Sequence, residues 1–336
     1  MSGLTENWLI VGGCGFIGTS LVHHLVQLHP GINLRVLDNL SVGTRQDLAE
    51  VCEPREVASA AIKGHPVGIE LVVGDIRTFE DCRRACRGIR VVVHLAASTG
   101  IGPSVIDPRH DLECNVVGTF NMLEAARGSG VERLVFASSG APLGEARPPI
   151  HEKKLPRPIS PYGASKLAGE AYCSVYCRVY GLKTVVLRFG NVYGARSTHK
   201  DSVIAKFFKL ALQQQPLEIY GNGNQTRDFL FIDDLLRSVM LAAQADVGGE
   251  IFQIASFKET TVNEIAEKIQ ALVARETGRE VTIRHRQPRL GDVKRNFSDI
   301  RKAKKLLGYV PQVDLDTGLQ LTWDFFKTRL AGASGS

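Results

Sequence analysis

The sequence lacks a hydrophobic run long enough to cross a bilayer, and no basic segment followed by an apolar core opens it. A membrane-spanning protein and a cleaved leader are therefore not expected, and a cytoplasmic enzyme is. Cysteine is sparse: seven residues in 336, an odd number without framework spacing, which reads as reduced thiols. Cys82/Cys86 and Cys173/Cys177 are i,i+4 pairs on expected helices, but neither has a His or Cys pair beside it, so no metal site is expected. Lys and Arg form no long tract and no stripe interleaved with aromatics. The formal charge of +6 thus calls for no nucleic acid and suits an anionic small substrate equally well.

What is present is alternation. Apolar, strand-like runs recur at 9–11, 34–37, 69–73, 91–95, 134–137 and 184–187, with helical periodicity between them. That pattern predicts an α/β fold, a parallel sheet covered by helices on both faces. A length of 336 residues allows one large domain or two of moderate size. Segment 45–68 has a helix-like part and a loop with Pro66, and its role is unreadable. The last residues, 331–336, are small and polar and are expected to be a disordered tail.

The chain is organised around residues 8–18, Trp-Leu-Ile-Val-Gly-Gly-Cys-Gly-Phe-Ile-Gly. An apolar strand ends in glycines, and Phe16, Ile17, Leu21, Leu25 and Leu28 then continue at helical spacing. Gly13, Gly15 and Gly18 fit G-x-G-x-x-G, and Gly12, Gly15 and Gly18 fit the wider form. Such glycines permit a sharp turn and let backbone N–H groups meet a diphosphate at a helix N-terminus. Alone, the match describes many ordinary turns. Here a second apolar run ends in Asp38, about 20 residues beyond Gly18, where an acid binds a ribose 2′-hydroxyl. A carboxylate there favours NAD over NADP, because it repels a 2′-phosphate.

Later residues add chemistry. Asp75, in Gly74-Asp75-Ile76, could meet an adenine amino group or cap the following helix at 78–87. His94-Leu95-Ala96-Ala97 ends the fourth run with small side chains that allow a cofactor to lie close. A helix over 111–128 carries Asn115. Ser138 and Ser139 end the fifth run; they are either crevice hydroxyls or turn residues. Tyr162 and Lys166 share one face of a helix over 161–180. A phenol titrates near pH 10, so a neighbouring ammonium and an oxidised nicotinamide are needed to favour the phenolate as a base.

In this order, the segments resemble the extended short-chain dehydrogenase/reductase family, specifically its nucleotide-sugar epimerases and dehydratases. The likeness runs from residue 8 to about 326 and includes Leu37-Asp38-Asn39-Leu40, Leu187 to Gly194, Arg227-Asp228-Phe229 and Gly291-Asp292-Val293. It implies a Rossmann doubly wound parallel sheet with a smaller C-terminal α/β substrate domain. The NAD-binding domain would comprise 1–190 and 229–257, and the nucleotide-sugar domain 191–228 and 258–330. It implies NAD held by Gly12, Gly15, Phe16, Ile17, Gly18, Asp38, Asn39, Asp75, Ile76, Leu95, Ala96, Ala97, Asn115 and Phe189, together with Tyr162 and Lys166. Ser139, Tyr162 and Lys166 would be catalytic. Asn191, Val203, Tyr220, Arg227, Arg289, Asp292 and Asn296 would join Ser139 in holding substrate, the arginines on its diphosphate. The helices over 111–128 and 161–180 resemble the pair that forms a homodimer interface in this family.

Within the family, relatives that dehydrate place Asp-Glu directly after the catalytic hydroxyl, and relatives that decarboxylate place a Glu two residues after it. Here Gly140 and Ala141 stand there, and neither moves a proton. The resemblance therefore implies a UDP-sugar 4-epimerase working through a transient 4-keto sugar, on UDP-glucose/UDP-galactose or the N-acetylhexosamine pair. Asn296 leaves the latter open. Arg196 keeps a UDP-hexuronate as the alternative. Another nucleotide-sugar dehydratase or reductase, and a non-catalytic NAD-binding scaffold, are the remaining rivals. Pro142-Leu143 departs from the Val-Tyr usual in relatives, and Cys14 replaces a commoner small residue in the glycine loop.

Overall fold

A computed structural model describes residues 7–288 and 294–332. Eight parallel strands form one sheet, in the order Glu250–Ile254, Lys183–Phe189, Arg133–Ser139, Val91–His94, Trp8–Val11, Leu34–Asp38, Ile69–Val73, Arg55–Glu56. The order reverses at Trp8–Val11, which pairs with Leu34–Asp38 on one side and Val91–His94 on the other. Such a switch point opens a crevice at the carboxyl ends of the strands. The expected α/β architecture is therefore observed, and all six expected runs are strands.

The strands are apolar on both sides because helices cover both faces. Period-two alternation sorts their side chains. Ile10, Val36, Val93, Val135 and Leu187 join one core, and Leu9, Val11, Leu37, Val92 and Phe136 join the other. The first core does not stop at the sheet. It continues through Leu235 and Val239 into Phe207, Phe208, Ile219, Ile265 and Trp323, so the C-terminal elements share buried surface with the sheet.

Several local expectations change. The helix expected over 78–87 is Phe79–Ala85, and Thr78 does not cap it with its side chain. The helix expected over 111–128 begins earlier, as Pro108–Leu112, widens into a π-turn at Glu113–Val117 and resumes as Gly118–Gly128. Segment 45–68 is ordered by tertiary contacts. Thr44 and Asp47 make a reciprocal capping box, Arg55–Glu56 adds an edge strand, and buried Arg35 donates to the Gly64 carbonyl at 3.0 Å. The final helix, Leu315–Gly332, extends into the expected tail; residues 333–336 lie outside the described ones. All seven cysteines are free. Among the described residues, no three His, Cys, Asp or Glu side chains group to hold a metal, and no helix is long and apolar enough to cross a membrane.

Candidate active site

The Pro161–Tyr180 helix is set by its ends. Ser160 accepts from Gly163 N–H at 3.1 Å, Pro161 occupies the first helical position, and Gly181 closes it at φ +76°. Tyr162 and Lys166 therefore face one direction, as their spacing requires. Lys166 is buried, and its Nζ donates to the Ala137 carbonyl at 2.9 Å. The ammonium also lies 4.9 Å from the centre of the Phe136 ring and 5.9 Å from that of Tyr162. Close packing makes this possible: a Cβ on Gly169 would come within 2.6 Å of the Phe136 ring.

The two serines divide. Ser138 turns inward, where its hydroxyl donates to Glu170, itself paired with buried Arg188. Ser139 belongs to the crevice. Its hydroxyl accepts from Ala141 N–H at 3.2 Å and also hydrogen-bonds the Tyr162 phenol. Ala141–Leu143 forms a tight 3₁₀ turn closed by Gly144 at φ +56°, where a Cβ would strike the Arg157 carbonyl oxygen at 2.1 Å. The Pro142-Leu143 departure is thus accommodated without moving Ser139 from the strand end.

Burial raises the Tyr162 phenol to about 12, and the Ser139 hydrogen bond opposes that rise. Burial lowers the Lys166 ammonium to about 8. Of the two charges expected to favour the phenolate, the ammonium and an oxidised nicotinamide, the lysine by itself does not offset burial. The ammonium is directed at a carbonyl and two ring faces, so burial outweighs it. His94 is fully enclosed and pushed down to about 3, hence neutral; its Nε2 meets Thr119 Oγ1 at 3.1 Å.

At the other end of the crevice, the glycine loop passes close to neighbouring backbone. A Cβ on Gly12, at φ +82°, would lie 2.7 Å from Ala96 N, and one on Gly18 would lie 2.2 Å from the Gly12 carbonyl oxygen. A Cβ on Gly15 would meet nothing nearer than 3.6 Å, so its open side faces the crevice. No side chain caps the Phe16–Leu28 helix that begins there. Its first N–H groups lack intrahelical partners and are positioned for phosphate oxygens. The Asp38 carboxylate accepts from Cys14 N–H at 2.9 Å and Leu40 N–H at 2.8 Å, which aims it beside the loop with lone pairs remaining for ribose hydroxyls. These residues fit a bound dinucleotide. Cys14 is small and buried, and burial raises its thiol far above the ordinary range.

Other expected cofactor residues lie along the same edge. Leu95, Ala96, Ala97 and Phe189 are half-buried at strand ends, and Ile76 packs against Gly118. Asp75 is not a helix cap. It binds Arg77 and accepts from Asn39 at 3.1 Å, and Arg77 holds it down to about 2. The Asn115 amide sits in the π-turn and is engaged with the protein. It accepts from Ser98 N–H and donates to Ser98 and Asp111, each at 2.9 Å. Its action on the crevice is to hold the 95–98 segment in place.

Of the expected substrate residues, Asn191, Val203, Tyr220 and Arg227 converge on one cavity of about 210 Å³, beyond the sheet edge. Ser202 and Gln225 also line it and were not expected from sequence. The buried Ser202 hydroxyl has no hydrogen-bond partner among the described residues. No motif marks it; only the fold turns it inward. Asn296 does not line the cavity. It is half-buried in a segment held by the Lys294 and Phe297 carbonyls, which accept from Thr226 and Ile150. Arg196 is also elsewhere, with its guanidinium 5.5 Å from the Phe325 ring centre. Arg289 and Asp292 lie outside the described residues.

The profile described as "NAD dependent epimerase/dehydratase family" matches residues 8–255. The chain belongs to that family. A relative within it, the UDP-glucose 4-epimerase of Mycolicibacterium smegmatis, is 35% identical over 327 residues, covering 96% of this chain and 98% of its own. The UDP-glucose 4-epimerase of Thermotoga maritima, solved with UDP-glucose, superposes with a TM-score of 0.85 at 33% identity, covering 96% of this chain and 99% of its own. That of Thermus thermophilus, solved with NAD, gives 0.82 at 35% identity, with the same two coverages. The epimerase/dehydratase resemblance read from the motifs is therefore correct, and so is the Rossmann-type fold it implied.

Proposed function

We propose that this chain is an NAD-dependent 4-epimerase of a UDP-sugar, with UDP-glucose/UDP-galactose the preferred pair. The observation that carries the reading is the Ser139–Tyr162–Lys166 cluster followed by the tight turn of Gly140–Gly144, which brings no acid or base after the catalytic hydroxyl. Dehydration and decarboxylation each need a further proton-transfer group there; epimerisation at one carbon does not. NAD, when bound, supplies a reversible hydride acceptor and a positive charge that favours the ionised phenol.

The chain's own residues do the rest. Tyr162 removes and returns the proton of the sugar 4-hydroxyl, and Ser139 holds that oxygen while hydrogen-bonding the phenol. Lys166 gives one of its three donors to Ala137 and keeps the others for a ribose hydroxyl. Asp38 takes the adenosine ribose, and the open side of Gly15 takes the diphosphate. Residues 191–228 and 258–330 act as the substrate-holding part. Asn191, Arg227 and Arg289 serve its phosphates, Val203 and Tyr220 its base, and Asp292 its ribose or the orientation of Arg289. The placement of Arg196 beside Phe325, away from the cavity, speaks for a neutral hexose over a hexuronate. Exposed Phe120, Tyr172, Val175 and Val179 form an apolar face across the two long helices, with Phe120 and Tyr172 rings 5.5 Å apart, which supports a homodimer. Free thiols fit a reducing compartment such as the cytoplasm.

The test is incubation with a panel of UDP-sugars, without added cofactor, and separation of the products. Interconversion of one epimer pair at constant mass and constant NADH absorbance is expected. Loss of water or carbon dioxide, or a stoichiometric change in bulk absorbance, overturns the reading.

A further inference from the structure

The segment that leads into the nucleotide cavity also reaches back to the glycine loop. It starts at Arg196, held at φ +66°, and Ser197 fixes its first turn through a buried hydroxyl that donates to the Gly194 carbonyl at 2.7 Å. Two contacts then tie it to the dinucleotide half of the molecule. His199 Nε2 lies 3.5 Å from Asp47, and Lys200 places its ammonium 5.3 Å from the centre of the Phe16 ring. Phe16 is the first residue of the helix whose N-terminus faces the crevice. The Lys200 carbonyl is pinned from behind by Lys209 Nζ at 2.8 Å.

Lys200 is half-buried, and among the described residues no carboxylate lies within ion-pair distance of it. A cation withdrawn from water without a partner is costly, and the ring face compensates only in part. Burial accordingly lowers its affinity for the proton. An anion beside Phe16 would remove that cost, and the uncapped first turn of the helix gathers an anion at that place.

We propose that Lys200 is a diphosphate-binding residue, carried by the 197–201 strap across the glycine loop to the diphosphate of the dinucleotide. It joins the substrate-holding side of the molecule to its cofactor. The proposal rests on the dinucleotide reading of the crevice but does not depend on which sugar is epimerised.

The probes are ADP-ribose, which has the diphosphate without the nicotinamide, and UDP, which has the substrate's diphosphate. Both are titrated by calorimetry into the full-length chain freed of bound nucleotide, as wild type, Lys200→Met and Lys200→Arg. Methionine keeps the apolar stem over Phe16, and thermal melting checks that the fold is retained. Lys200→Met is expected to weaken ADP-ribose about 10- to 100-fold, as for one charge-assisted contact, while UDP affinity stays within about twofold and arginine restores most of the loss. Unchanged ADP-ribose affinity in a folded Lys200→Met variant, or a loss confined to UDP, overturns the proposal. Failure of the wild type to bind ADP-ribose would instead reject the dinucleotide reading itself.

Discussion

On the Pro161–Tyr180 helix, Lys166 and Glu170 stand one turn apart and both are buried, yet their surroundings differ. Glu170 is fully matched: Ser138 and the Arg188 fork bind its two oxygens. Lys166 has a carbonyl and two ring faces but, among the described residues, no carboxylate within ion-pair distance, and burial draws it down to about 8. One helix thus carries a charge locked into the fold and a charge left chemically available. A buried pair that neutralises itself has little to offer a ligand; a buried ion with unused donors does.

This contrast can be broken by mutation, and the largest effect belongs to the crevice side. Tyr162→Phe should lower kcat at least about a thousandfold while leaving NAD binding intact, since it removes the acid–base group but not the cradle. Retention of bound NAD after gel filtration, together with the rate on the best UDP-sugar, checks both halves. Next comes the structural pair. Glu170→Gln leaves the Arg188 guanidinium buried without its counter-charge and should cost about 3–5 kcal/mol of stability, read as a fall in the denaturant midpoint.

Lys166→Met should act in the opposite sense. It should abolish most activity yet gain about 1–3 kcal/mol of stability at pH 7, because a disfavoured buried cation is gone. The sign can be checked by pH. Folded Lys166 loses its proton near 8, while the unfolded chain holds it to about 10.5, so between those values the unfolded state binds more protons. The parent's stability should therefore rise with pH across that window relative to Lys166→Met, and a flat difference would reject the shift. The serines give the smallest effects. Ser139→Ala should lose roughly 10- to 100-fold in rate with little change in melting, whereas Ser138→Ala should lose about 1–2 kcal/mol of stability with little direct change in chemistry.

Much of this was legible without coordinates. The glycine loop, Asp38 and the Tyr162/Lys166 spacing state local requirements: a tight turn, an acid at a strand end, one helix face. Local requirements are visible in a string of residues. The six apolar runs were equally plain, because strands buried on both faces are apolar throughout. What stayed hidden depends on residues far apart in the chain. Arg55–Glu56 is too short and too exposed to show a period, and it is a strand only because Ile69–Val73 offers an edge. Ser138 and Ser139 are indistinguishable as letters; the pleat sends one to Glu170 and the other to Tyr162. The Asn115 amide meets Asp111 one helical turn away, as their spacing allows, but its two bonds to Ser98 depend on the fold.

The sequence by itself determined the family, the tight turn of the glycine loop and the shared helix face of Tyr162 and Lys166, because each depends on residue types at short, fixed separations. Tertiary structure alone decided which buried charges are matched by a counter-charge, that Ser202 lines the cavity and that Lys200 lies over the Phe16 ring. Protonation and partnership are set by burial and by neighbours distant in the chain, and those exist only once the chain has folded.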